Sequence, residues 1–221
     1  MEHMQKASSD IRELKILYRD IRHAIEERLR IFDRFWKRSS EVELFRELAF
    51  CLLTPQSRAL SCWEAVKQLD AKDLLFRGYA EEISAALNIV RFRNNKARYI
   101  IEARHRFCHE GRPGLRETLQ DLGTPADMRS WLSTNIKGYG LKEASHFLRN
   151  IGLGGDIAIL DRHILRCLIR TGIIDTIPAS LTPRRYHEIE EGMRHLSREM
   201  GIPLSHLDFL FWYRQTGFLF K

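Results

Sequence analysis

Apolar residues recur along this chain at steps of three and four, and that feature confines it to helices. In DIRELKILYRDIRHAIEERLRIFDRF, residues Ile11, Leu14, Leu17, Ile21, Ile25, Leu29 and Phe32 share one side of a 3.6-residue period. The stretch reads as one amphipathic helix or a broken pair. EVELFRELAFCLLTP keeps the period and stops at Pro55, and SRALSCWEAVKQL, AEEISAALNIV and NNKARYIIEARHRFC predict three further helices. GRPG at 111–114 breaks the chain. Thr124 followed by Pro125 has the form of a helix N-cap with proline in the first turn. No stretch alternates convincingly with period two, and IAIL at 157–160 is too short to count as a strand. The expected class is all-α with short loops.

A chain of 221 residues makes one large domain or two small lobes and can bury a core without staples. Lys and Arg number 36 against 29 Asp and Glu, a formal net charge of +7. That excess suits a polyanionic partner such as nucleic acid, and a merely basic soluble protein is the plainer alternative. Cys51, Cys62, Cys108 and Cys167 are scattered, with no CxxC pair and no zinc or iron–sulfur spacing. No metal is therefore expected, and free thiols fit a reducing cytoplasm. The opening MEHMQKASSD has no apolar signal core, and no run approaches the roughly eighteen apolar residues of a membrane span. No membrane partner is expected.

The densest stretch is NIKGYGLKEASHFLRNIGLGGDIAILDRHILR, residues 135–166. A helix ends near Asn135, Gly138 and Gly140 flank an aromatic, and LKEASHFLRNI begins a second helix. Helix, GxG turn, helix is the layout of a helix-hairpin-helix, whose backbone N–H groups can hold a DNA phosphate. An ordinary glycine-capped turn has the same local pattern. GLGGD stops the second helix, and Asp161 stands at the N-cap of the next. Capping alone accounts for an aspartate there, and a solvated or phosphate-binding role for Lys142. Yet Lys142 and Asp161 each open a helix just after a glycine-rich loop, so both can face one cleft.

This stretch closely resembles the hairpin and catalytic loop of the helix-hairpin-helix DNA glycosylase superfamily. Within it, KEASHFLRN, AILDRHILR and a C-terminal lysine resemble the archaeal-type 8-oxoguanine DNA glycosylase/AP lyase family. The similarity runs from about residue 41 to Lys221. By resemblance, Lys142 is the nucleophilic lysine and Asp161 the catalytic aspartate. The chemistry suits them: a carboxylate stabilises positive charge building on the sugar, and an amine attacks C1′ to form a Schiff base. The amine must be neutral to attack, so its ordinary pKa near 10.4 must fall. The positive dipole end at the helix start works in that direction.

The resemblance implies further DNA contacts. Lys137, Gly138 and Gly140 form the phosphate-holding hairpin, and His163 reaches another phosphate. LLTPQSRA at 52–59 matches the loop that enters the duplex where the damaged base leaves, with Gln56 as wedge and Arg58 on the opposite strand. LTPQ is closer to endonuclease III-like relatives than to the archaeal LTAN. In the C-terminal LDFLFWYRQTGFLFK, Trp212 stacks on the flipped base, Asp208 lies near it, and Lys221 reaches the 8-oxoguanine. Phe209, Phe211, Phe218 and Phe220 are core candidates. RFRNNKARYIIEARHR at 91–106 carries Arg91, Arg93, Lys96, Arg98, Arg104 and Arg106, a run that tracks a phosphate backbone or forms a solvated face. Arg162, Arg166 and Arg170 share a helical face, with the last two expected toward solvent.

The expected architecture is two helical lobes around a cleft, an inner one over 40–147 and an outer one combining 1–39 with 148–221. The expected activity is a bifunctional glycosylase that excises 8-oxoguanine and cleaves the strand by β-elimination. It would act as a cytoplasmic monomer on double-stranded DNA, associated with the nucleoid when bound and without a cofactor. Two alternatives stand: the same chemistry on another oxidised base, and a non-catalytic helix-hairpin-helix binding module.

Overall fold

The computed structural model describes residues 2–109 and 112–221; residue 111, in the expected chain break, lies outside the described residues. Helices α1 (Glu2–Arg38), α2 (Glu41–Leu53), α3 (Ala59–Ala71), α4 (Leu74–Arg77), α5 (Ala80–Ala86) and α6 (Arg93–Phe107) come first. Strands β1 (Cys108–His109) and β2 (Arg112–Pro113) follow, then α7 (Leu115–Asp121), α8 (Pro125–Asn135), α9 (Leu141–Asn150), α10 (Arg162–Arg170), α11 (Pro183–Met200) and α12 (Leu204–Thr216). The strands were not expected. They form a two-residue antiparallel ribbon with Cys108 opposite Pro113, and Gly114 N–H donates to Phe107 O at 2.6 Å beside it.

The chain divides into two compact units, Arg34–Leu153 and the residues up to Asp33 together with Gly154–Lys221. The sequence placed the divisions at 39/40 and 147/148. The observed ones spare α9, which runs unbroken to Asn150, and fall within the last turns of α1 and in the glycine loop.

In the Arg34–Leu153 unit, α2 is the buried spine. A capping box starts it: Glu43 N–H donates to Ser40 Oγ at 3.2 Å, and Ser40 N–H to Glu43 Oε2 at 2.8 Å. From Leu44 to Leu53 it is buried on nearly every side, which no surface helix tolerates, and α3, α6, α7 and α9 pack around it. Glu47 within it accepts from Asn150 Nδ2 at 2.6 Å, tying the end of α9 to the spine. Thr124 caps α8 as expected, accepting from Asp127 N–H at 3.2 Å. Arg116 of α7 donates to Ser39 O at 2.6 Å and to Trp36 O, with its guanidinium over the Trp36 ring.

In the other unit, α1 is one continuous helix rather than a broken pair. Leu14, Ile21, Ile25 and Phe32 are buried, and Phe32 stacks on Phe209 of α12 with centroids 6.1 Å apart. Phe209 and Phe211 join the core as expected. Phe218 is exposed and Phe220 only half-buried, so neither is a core residue, because both follow the end of α12 at Gly217. Arg162, Arg166 and Arg170 are all exposed, the last two as expected, and Arg170 also pairs with buried Asp10 at 2.8 Å. Arg214 of α12 reaches the same carboxylate at 2.6 Å. Asp10 thus joins α1, α10 and α12 through one desolvated charge. Asp10→Ala leaves Arg214, itself mostly buried, with only the exposed Glu13 at 2.8 Å as an acid partner, and we expect a loss of about 3 kcal/mol in stability, read by denaturant unfolding.

Candidate active site and nucleic-acid interface

The hairpin is built by alternation of exposure. Gly138 and Gly140 are exposed, while Tyr139 between them turns inward and donates its hydroxyl to Leu48 O of α2 at 2.7 Å. Gly138 has φ +86°, and a Cβ there would lie 2.5 Å from the Tyr99 ring. Both facts demand glycine. Gly140 N–H donates to Glu143 Oε2 at 3.1 Å, which starts α9. Lys137 is exposed, 3.2 Å from Glu102 and over the Tyr99 ring. Three of the expected phosphate contacts, Lys137, Gly138 and Gly140, therefore sit together on the surface of one turn.

Lys142 occupies the first turn of α9. Its side chain is 24% exposed; its Nζ donates to Thr54 Oγ1 at 3.2 Å and pairs with Glu143 Oε1 at 3.0 Å. The Glu143 carboxylate beside it is a counter-ion that the sequence reading did not weigh. The turn carrying Thr54 also carries Gln56, exposed with φ +54°, a backbone conformation costly for any residue with a Cβ. Arg58 is exposed at the N-cap of α3. Arg91 N–H donates to Ser57 Oγ at 3.1 Å, so a second turn abuts the first, and there Phe92 is 56% exposed with φ +58°.

Lys96 is not a phosphate contact. It is 3% exposed, and its ammonium donates to Leu53 O at 2.6 Å, Pro55 O at 2.8 Å and Ser57 Oγ at 3.1 Å. Burial pulls it down to about 8, with Lys142 acting in the same sense and Cys62 and Glu143 against it. Burial likewise pushes the Cys62 thiol up to about 11. A signal for the burial of Lys96 was available: it lies on the apolar stripe of Ile100, Ala103 and Phe107. Arg91, Arg93 and Arg98, by contrast, are exposed.

Asp161 lies in the other unit. It caps α10, with Oδ1 accepting from His163 N–H at 2.8 Å and Ile164 N–H at 2.9 Å. The preceding IAIL is no strand but a buried extended segment, and its backbone is satisfied by α11. Ala158 N–H donates to Glu190 Oε1 at 2.9 Å, the Tyr186 hydroxyl donates to Ala158 O at 2.8 Å, and Leu160 N–H donates to that hydroxyl at 3.2 Å. Tyr186 and Glu190 thereby fix the approach to Asp161; nothing local in the sequence links them to it. His163 meets Trp212 edge to face at 5.0 Å. Asp208 is buried on the same helix as Trp212, and Lys221 is half-buried. His163 and Trp212 are thus brought together. Lys142 and Asp161 are each held by their own unit.

An all-α chain with a helix-hairpin-helix over α8 and α9, then a glycine-rich loop and an aspartate-capped helix, falls in the helix-hairpin-helix class. The chain belongs to the 8-oxoguanine DNA glycosylase family, whose model matches residues 25–202. The 8-oxoguanine DNA glycosylase/AP lyase of Fusobacterium nucleatum subsp. nucleatum is 44% identical over 216 residues, 98% of this chain and all of the relative. That of Methanocaldococcus jannaschii is 38% identical over 204 residues, 91% of this chain and 94% of the relative. A crystal structure of the M. jannaschii glycosylase/lyase in complex with 15mer DNA containing 8-oxoguanine matches with a TM-score of 0.85 at 36% identity, covering 96% of this chain and 99% of that one.

The hairpin's dependence on Gly138 can be measured. Gly138→Ala combines a left-handed φ with a collision against Tyr99, so we expect a loss of about 2 kcal/mol in thermal unfolding and weakened binding to any duplex.

Proposed function

We propose that the protein excises 8-oxoguanine from duplex DNA and then cleaves the strand at the abasic site. The observation that carries this is the Lys142 amine, half-buried at the start of the hairpin helix and hydrogen-bonded to Thr54 rather than extended into solvent. The family to which the chain belongs, and relatives named for both activities across almost its whole length, support the substrate.

In this reading the hairpin, through Lys137 and the backbone at Gly138 and Gly140, grips a phosphate, and His163 grips another. Gln56 enters the duplex as the damaged nucleotide leaves the stack, and Arg58 contacts the opposite strand. Phe92, exposed beside the Gln56 turn, adds an aromatic surface for the opened bases. Trp212 stacks on the flipped base, with Asp208 and Lys221 reading its polar edge. Asp161 stabilises the positive charge that grows on the sugar as the glycosidic bond breaks. Lys142 attacks C1′, the bonding pair leaves with the base, and loss of a proton from the new amine followed by ring opening gives a Schiff base. Abstraction of a C2′ proton then expels the 3′ phosphate. The chain works as a monomer on chromosomal DNA.

Borohydride trapping on a duplex with one 8-oxoguanine opposite cytosine tests the reading. We expect a covalent band with the wild type and none with Lys142→Gln. A band only on an oxidised-pyrimidine duplex would replace the substrate, and no band on any duplex would leave a binding module. Asp161→Asn keeps an oxygen for the cap and loses the charge, so base release should slow on the order of 100-fold with DNA affinity retained. Lost affinity instead would make Asp161 structural.

A further inference from the structure

Two lysines grip the same turn from different helices. Lys96 of α6 holds Leu53 O and Pro55 O, the carbonyls on either side of Thr54, and reaches Ser57 Oγ beyond. Lys142 of α9 holds the Thr54 hydroxyl itself, at 3.2 Å. That hydroxyl donates to Cys51 O at 2.8 Å, so its lone pairs are left for the amine. The turn cannot relax without moving the atom against which Lys142 rests, and the Pro55 carbonyl that Lys96 holds immediately precedes its left-handed residue, Gln56.

The same arrangement brings both ammonium groups to one turn, Lys96 fully buried and Lys142 24% exposed. The charged and titratable groups acting on Lys96 are Cys62 of α3 and Lys142 and Glu143 of α9. Cys62 is a thiol held protonated by burial, so it contributes no charge at neutral pH. Glu143 pairs with Lys142 at 3.0 Å and favours its protonated form. Its carboxylate is shared with Gly140 N–H, which weakens that pull. Lys96 is the cation that opposes it.

We propose that Lys96 is a positioning residue for the excision reaction, whose buried ammonium anchors the 53–57 turn against Lys142 and whose charge keeps the Lys142 amine neutral and nucleophilic. This rests on Lys142 being the attacking amine. Lys96 is not itself a nucleophile, because its donors are committed to the turn. Repulsion between like charges is reciprocal: the cation that makes Lys96 easier to deprotonate is itself made easier to deprotonate by Lys96.

The test is the pH dependence of single-turnover borohydride trapping on an abasic-site duplex, which reads Schiff-base formation apart from base recognition. Lys96→Met removes the charge and keeps the bulk. We expect its pH midpoint to rise by about one unit and trapping at pH 7 to fall about tenfold, with Lys96→Arg staying near the wild-type midpoint. A lowered rate with an unmoved midpoint in Lys96→Met would overturn the proposal and leave Lys96 a purely structural residue. Should Lys96→Met fail to fold, titration of the lysine Nζ signals of the wild type by nitrogen NMR decides. Lys142 titrating well below about 10.4 supports the proposal, and an ordinary value overturns it. Peptide mapping of the trapped complex keeps the two readings apart. Attachment at a residue other than Lys142 sinks the assignment of the nucleophile, whatever Lys96 does.

Discussion

Helix α2 ends inside the protein, and the organisation around Lys142 follows from that. The last carbonyls of any helix lack intrahelical donors, and at a surface water supplies them. Around the end of α2, where Leu52, Leu53 and Thr54 are all buried, the protein must supply them instead. Cys51 O accepts from the Thr54 hydroxyl at 2.8 Å, Leu53 O from Cys62 Sγ at 3.1 Å and Lys96 Nζ at 2.6 Å, and Pro55 O from Lys96 at 2.8 Å. A helix terminus that needed donors has thus recruited a buried cation, and that cation shares its turn with the lysine of the hairpin helix. Desolvation costs the protein a charge in its interior, and the three acceptors around Lys96 offset that cost.

The Asp161 side obeys the same rule with opposite polarity. There a helix begins, and the groups in want of partners are N–H donors. The carboxylate of Asp161 takes two of them. A cap of this kind is ready-made for a carboxylate that must meet a developing positive charge, since the geometry is fixed before substrate arrives. Capping is therefore compatible with the role proposed for Asp161. The cap orients the group, and both N–H donors are served by one oxygen, Oδ1.

How much of this could be read from the sequence depended on whether the cause was local. The GxG hairpin, the Thr124 cap, the Asp161 cap and the continuous stripe of α1 all arise from residues within a turn or two of each other, and all were legible. The misreadings share a different origin. Lys96 sits among other basic residues, and although its place on the apolar stripe of α6 marks it as inward, nothing near it names the carbonyls forty residues away that it serves. Tyr186 and Glu190 serve the backbone of residues 158–160 across a similar gap. The left-handed backbones at Gln56 and Phe92 run against the preferences of those residues, so composition argued against them. For Lys142 and Asp161 the residues alone left solvation and capping open, and the roles proposed for them rest on the resemblance of the whole stretch.

The net charge of +7 shows the same division between what is counted and what is placed. Much of the arginine content is spent internally: Arg194 on Glu190 and Glu191, Arg184 and Arg185 on Glu188, and Arg214 on Asp10 and Glu13. These pairs contribute nothing to the attraction of a polyanion, since each cation lies within reach of an acid. The basic groups on turns are a different population. Arg58, Arg91 and Arg93 are exposed around the Gln56 turn. They sit in the Arg34–Leu153 unit, next to backbone held in conformations that the fold enforces at some cost. The nucleic-acid surface proposed for this chain depends on where charge meets rigid backbone, and a chain of equal pI with its arginines rearranged would not offer it.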